Sequence, residues 1–148
     1  MLEESLRPDE VSAEDYDAIY FAGGHGAMWD FPEDGGLIAL AGAIHDRGGI
    51  VSSVCHGGAG LLNLKGDDGR LLVEGRRVTG YTNLEEKAAR HTAHVPFSLE
   101  DELAQRAREF THARLPFVAH VVIDERLVTG QNPLSAKSVG RAVVSLLG

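Results

Sequence analysis

With a single cysteine among its 148 residues, the chain cannot form an intrachain disulfide, and the lone thiol, Cys55, is either inert or reactive. Basic residues are scarce: 14 Lys and Arg stand against 22 Asp and Glu, for a formal net charge of -8. That deficit argues against nucleic acid or an anionic membrane as the main partner, because either would require clustered Lys and Arg. No long run of strongly apolar residues occurs, so no membrane span is expected. The start, Met1-Leu2-Glu3-Glu4-Ser5, lacks the basic and apolar regions of a secretory signal, and a reducing cytoplasm is the expected setting. Internal repeats and low-complexity tracts are also missing. What is present suits one domain: 43% of residues are apolar, enough for a real core.

Residues 1–15 are acidic and patternless and read as an arm, with a domain over 16–148. The β-forming run Tyr16 to Ala22 predicts a strand that stops at Gly23-Gly24-His25-Gly26. Leu37, Leu40, Ala41 and Ile44 share a helical face over 36–47, closed by Gly48-Gly49. Ile50 to Val54 predicts a second strand, Gly57 to Leu64 a helix of small residues, 65–76 a polar turn, and 77–80 a third short strand. Ser98 is placed to cap a helix reaching about Phe110, with Leu99, Leu103, Ala107 and Phe110 as its buried stripe. His120 to Ile123 and Leu127 to Thr129 predict strands around Asp124-Glu125, and Asn132-Pro133 opens a final helix with Val139, Val143 and Leu146 inward. Apolar strands alternating with helices predict an α/β fold, a mostly parallel sheet covered on both faces. Sites in such sheets lie beyond the carboxyl ends of the strands. Two strands end there in unusual sequences, Gly23-Gly24-His25-Gly26 and Cys55-His56-Gly57.

Ser53-Val54-Cys55-His56-Gly57 fits a nucleophile elbow, which needs small residues two before and two after the nucleophile because strand and helix nearly touch. Gly58, Ala59 and Gly60 keep the following segment slim. A helix N-terminus at the sulfur favours thiolate, so a depressed thiol pKa is expected; the competing reading is a small buried hydrophobe. The Gly23-to-Gly26 turn offers backbone amides to a developing oxyanion, with the His56 amide as second donor. A histidine that moves a proton needs an acid to fix its tautomer, and Glu85 and Glu86 are both available after the third strand. The residue pattern does not choose between them. His91-Thr92-Ala93-His94 has a metal-pair spacing, but without a third ligand in the sequence it reads as surface, and no metal is expected. His25 and Trp29 are candidate pocket walls; His45, His112 and His120 carry no independent claim.

The stretches YDAIYFAGGHGAMWDFP, VSSVCHGGAGLL, VTGYTNLEE, VPFSLEDEL and RLVTGQNPLSA together resemble the ThiJ/PfpI family, in unbroken order from about residue 14 to 147. They are most similar to the branch that holds heat-shock-type chaperones and glutathione-independent glyoxalase III, within the class I glutamine-amidotransferase-like superfamily. The resemblance implies a flavodoxin-like sheet and a catalytic set of Cys55, His56 and Glu86. It implies Gly24 and His56 as oxyanion donors. The implied chemistry is a cofactor-free, metal-free, hydro-lyase-type conversion of methylglyoxal to lactate, or a deglycase reaction. A non-enzymatic stress chaperone, a redox sensor and an inactive truncated homologue are the alternatives.

This chain departs from the family pattern in two places. Gly58 stands where many relatives have proline, with little consequence expected. Relatives also carry a strand-helix-strand ahead of YDAIYF with no counterpart here, and that segment supplies a glutamate that hydrogen-bonds the nucleophilic sulfur. Glu3, Glu4, Glu10 and Glu14 match no motif of the family and are not assigned that role. The resemblance therefore implies an apolar edge at the Tyr16–Ala22 strand, and a homodimer or higher oligomer that covers it is expected.

Overall fold

The computed structural model describes residues 4–148; residues 1–3 of the expected arm, with Glu3 and the start on which the absence of a secretory signal was argued, lie outside the described residues. Four strands form the main sheet: β1 (Ala18–Phe21), β2 (Ile50–Val54), β5 (Val121–Asp124) and β6 (Leu127–Gly130). Their spatial order is β1-β2-β6-β5, with the first two pairings parallel and the last antiparallel. The sheet is thus mostly parallel, and among the described residues β1 forms one of its edges, with Tyr20 exposed. A second, two-stranded parallel sheet joins β3 (Arg77–Val78) to β4 (Glu109–Phe110).

Alternation along the strands distributes side chains to two faces. Ile50 and Val128 point to one face, against Val139, Val143 and Leu146 of α5 (Ala136–Leu147). Val51 and Leu127 point to the other, into a larger core with Ala41 of α2 (Gly35–Asp46) and Leu99 and Leu103 of α4 (Leu99–Arg106). Helices therefore cover both faces. The fold is α/β and flavodoxin-like. Among the described residues no helix is long and apolar enough to cross a membrane.

Several elements differ from expectation for identifiable reasons. The arm is not free: Pro8–Glu10 and Ala13–Asp15 form single 3-10 turns, and Arg47 Nη1 of the α2 C-cap donates to the Ala13 carbonyl at 2.7 Å. The helix capped by Ser98 stops at Arg106 rather than near Phe110, because Glu109 and Phe110 pair with Arg77 and Val78 instead. Tertiary pairing overrides the helical stripe there, with the Arg108 and Thr111 amides donating to the Arg76 and Val78 carbonyls. The last helix opens as a 3-10 turn over Pro133–Ser135 before α5 begins. The segment after Cys55 is a 3-10 helix, Cys55–Leu61, not an α-helix over 57–64. Its glycines permit an approach that no side chain would allow: a Cβ on Gly57 would lie 2.2 Å from the Phe21 carbonyl oxygen, and one on Gly60 would lie 2.5 Å from the Phe21 ring.

Candidate functional site

β1 and β2 run parallel and end side by side, so the glycine turn after Phe21 and the bend after Val54 meet above the sheet. Cys55 sits at that bend with φ +57°, a left-handed conformation that a non-glycine residue adopts only where its surroundings enforce it. Gly23 makes the meeting possible, since a Cβ there would lie 3.0 Å from Cys55 Cβ. Gly24 holds φ +121°, a backbone state suited to glycine. The amides of Gly24 and His56 both approach the Cys55 sulfur.

The buried Cys55 Sγ lies 3.4 Å from His56 Nδ1, and His56 Nε2 lies 2.7 Å from Glu86 Oε2. A neutral His56 that donates its Nε2 proton to the carboxylate keeps a free lone pair on Nδ1, facing the thiol. Burial lowers the His56 pKa, with Glu86 pushing it back up and the neighbouring His25 and His91 adding to the fall. The lowered pKa favours the neutral imidazole, whose Nδ1 can then accept a proton. Tyr81, itself buried, packs on the His56 ring with centroids 4.3 Å apart.

The expected depressed thiol is not what this environment produces. Burial pushes Cys55 up to about 11, and the charges of Glu85 and Glu86 add to the rise. The His56 and Gly24 amides pull the other way without overcoming desolvation. Two amide dipoles at the start of a 3-10 turn do less than the α-helix N-terminus expected there. The resting pair is a thiol beside a neutral imidazole.

The geometry separates the two glutamates. Glu86 aims at His56, and its second oxygen, Oε1, lies 3.0 Å from His25 Nε2. Glu85 is fully buried and turned away. Its Oε1 accepts from the Phe117 amide, Gln131 Nε2 and Asn132 Nδ2 at 2.8–2.9 Å, and its Oε2 accepts from the Thr82 amide and hydroxyl. Glu85 also closes a capping box with Thr82 at the start of α3 (Asn83–Ala88). The Thr82-x-x-Glu85 spacing was a signal present in the sequence: it assigns Glu85 to the cap and leaves Glu86 free.

His25 and Trp29 do share a wall. They line a depression of about 530 Å³ together with Arg90, His91 and His94. The His25 ring lies 4.0 Å from that of His56 and 4.6 Å from that of His91. Sequence reasoning gave His25 no link to the acid and read His91 and His94 as mere surface; a contact across 61 residues, such as His25 to Glu86, leaves no local signal. His45 and His112 lie outside this cluster, and His120 bonds Thr111 elsewhere.

The family model described as "DJ-1/PfpI family" matches residues 3–146. A probable glutathione-independent glyoxalase of Schizosaccharomyces pombe is 34% identical over 99% of this chain and 59% of its own length. The glutathione-independent glyoxalase HSP31 of Saccharomyces cerevisiae is 36% identical over 88% of this chain and 57% of its own. Among solved structures, that of glyoxalase III from Candida albicans superposes with a TM-score of 0.88 at 30% identity, covering 94% of this chain and 60% of that one. Rapid Encystment Protein 24 KDa of Francisella tularensis superposes with a TM-score of 0.91 at 37% identity, covering 97% and 63%. The chain spans less than two thirds of the length of these relatives.

Proposed function

The chain belongs to the DJ-1/PfpI family, and from that premise we propose that it is a cofactor-free aldehyde enzyme of the glyoxalase III kind. Cys55 is its nucleophile, His56 its base and Glu86 the acid that orients His56. The substrate is a small 2-oxoaldehyde such as methylglyoxal, and the product is the corresponding 2-hydroxy acid; a hydro-lyase assignment follows from that chemistry. The observation that carries this reading is the relay itself: sulfur 3.4 Å from Nδ1 and Nε2 2.7 Å from a carboxylate, on a backbone held at φ +57°.

Because the resting sulfur is a thiol, attack needs the base at the moment of bond formation. The sulfur adds to the aldehyde carbon as its proton passes to His56 Nδ1. The aldehyde oxygen takes up negative charge near the Gly24 and His56 amides, then takes a proton, leaving a hemithioacetal. The carbon bound to sulfur next loses its hydrogen as a proton, and the neighbouring carbonyl carbon gains one through an enediol, which leaves a thioester. Water cleaves the carbon–sulfur bond, frees the 2-hydroxy acid and restores the thiol. The sum is addition of one water, and no external oxidant or reductant enters. His25 and Trp29 wall the aldehyde's approach from the depression they share.

A homodimer that pairs across the β1 edge belongs to the same reading, supported by the exposed Tyr20 on that edge. A folded monomer by light scattering at micromolar concentration would end that part. A redox-sensor role finds less support, because a thiol pushed up to about 11 is slow to oxidise. The enzymatic reading is tested by lactate formation from methylglyoxal by the pure protein and by Cys55→Ala. Wild-type turnover that the variant lacks is expected; no lactate from either, or equal lactate from both, overturns it.

A further inference from the structure

We propose that His25, His56 and Glu86 bind one borderline divalent d-block cation, such as Zn²⁺, and that the bound ion switches off the base beside Cys55. Two imidazoles and one carboxylate are a ligand set suited to such ions, with open positions left for water. His25 Nε2 and His56 Nε2 already converge on opposite oxygens of the single Glu86 carboxylate, at 3.0 and 2.7 Å. One ligand atom from each of the three residues lies within 4.8 Å of the others. Donors on a tetrahedral ion with bonds of about 2.0–2.2 Å sit roughly 3.3 Å apart, so the set must tighten modestly. Two of the three ligands are fixed by burial, while the His25 side chain, 39% exposed, is the member that solvent reaches.

Access to the site favours this ligand set. The depression beside His25 is open to solvent and carries two further imidazoles, His91 and His94, along its wall. The His91 ring, 4.6 Å from that of His25, is within reach of a fourth position. The His91–His94 pair alone is a poorer site, with its rings 6.2 Å apart and no carboxylate between them. Glu85 is excluded because the protein fills its lone pairs with five donors.

Binding has a defined cost in proton chemistry. Each ring must give the metal its Nε2 lone pair, so the proton on Nε2 moves to Nδ1 and no proton is released from either ring. On His56 that places an N–H against the Cys55 sulfur, where a lone pair had stood ready to accept the thiol proton. The loaded site holds the nucleophile but lacks its base. This inhibitory consequence rests on the role proposed for His56, whereas metal binding does not.

The probe is Co²⁺, titrated into the metal-stripped full chain and followed by visible d–d absorption, with Zn²⁺ added in competition. One saturable site is expected, with the intense bands of a four- or five-coordinate ion and no thiolate charge-transfer band. Cys55→Ser should bind alike, and the double variant His91→Ala/His94→Ala should keep one site. His25→Ala should weaken binding by about tenfold or more, and Glu86→Gln further. Circular dichroism checks that each variant is folded, and His25, being half exposed, guards against failure of the buried Glu86 variant. Binding that is absent, or undiminished in folded His25→Ala, or lost with Cys55→Ser or with the His91/His94 pair, overturns the proposal. The readout needs no turnover. A chain that binds cobalt yet makes no lactate defeats only the glyoxalase reading, and one that makes lactate yet ignores cobalt defeats only this one.

Discussion

Glu85 and Glu86 are consecutive residues in the first turn of α3, both buried, and their surroundings could hardly differ more. Around Glu85 five donors from four residues close on one carboxylate and tie α3 to the 112–120 loop and to the junction of β6 with α5. Around Glu86 two imidazoles meet the carboxylate, one buried and one at the mouth of a depression. The first carboxylate is saturated, and its charge is satisfied by fixed dipoles that hold no exchangeable function. The second is bonded to groups that titrate, tautomerise and face solvent. A saturated carboxylate fixes architecture, while a shared one can take part in chemistry.

The largest effect should come from breaking the Glu86 side. Glu86→Gln keeps the shape but presents an amide that cannot accept from both imidazoles, which disturbs the His56 tautomer. Methylglyoxal turnover should fall roughly 10³-fold or more, measured by lactate release. A loss below about tenfold would mean that the acid does not orient the base.

Next comes the Glu85 side, where stability rather than turnover is at stake. Glu85→Ala leaves the buried Thr82 amide and hydroxyl and the buried Gln131 and Asn132 side chains, with the half-buried Phe117 amide, without this acceptor. At about 1–3 kcal/mol for each unpaired donor, the loss should reach at least about 4 kcal/mol, seen as a fall in melting temperature of about 10 °C. Glu86→Gln should lose less than half of that. Equal melting of the two variants would erase the distinction between the two carboxylates.

The smallest effect sharpens the comparison through the thiol. Cys55 has a folded pKa raised to about 11 from a reference of 9.0, so it adds stability that is fully present below pH 9 and is lost as pH climbs towards 11. That contribution is roughly 2 kcal/mol, and the alkaline decline of wild-type melting should be blunted in Cys55→Ala. His56 behaves in the opposite sense: its lowered pKa adds stability above about 6.5 that is lost as pH falls. Alkylation of Cys55 should have a midpoint above 9, and Glu86→Gln should shift it modestly down by removing a charge that opposes the thiolate. A wild-type midpoint below 7 would mean that the sulfur rests as a thiolate at neutral pH and that base assistance is unnecessary.

Local chemistry made much of this protein legible. The elbow could be read because its requirements are steric and short-ranged: Gly57 and Gly60 must pass beneath Phe21, and no side chain fits there. The alternation of apolar strands with helices carried the sheet for the same reason, since side-chain period reports which faces are covered. The end of the helix after Ser98 is not legible in its periodicity, because pairing of Glu109 and Phe110 with a distant strand terminates it.

By itself, then, the sequence determined the fold class, the bend that presents Cys55, and the glycine turn that meets it. The tertiary structure alone decided that burial outweighs the amides at the sulfur and that three imidazoles gather beside one carboxylate. Those outcomes depend on desolvation and on contacts between residues 30 to 61 positions apart, such as His56 and His25 to Glu86, and neither quantity is written in local order.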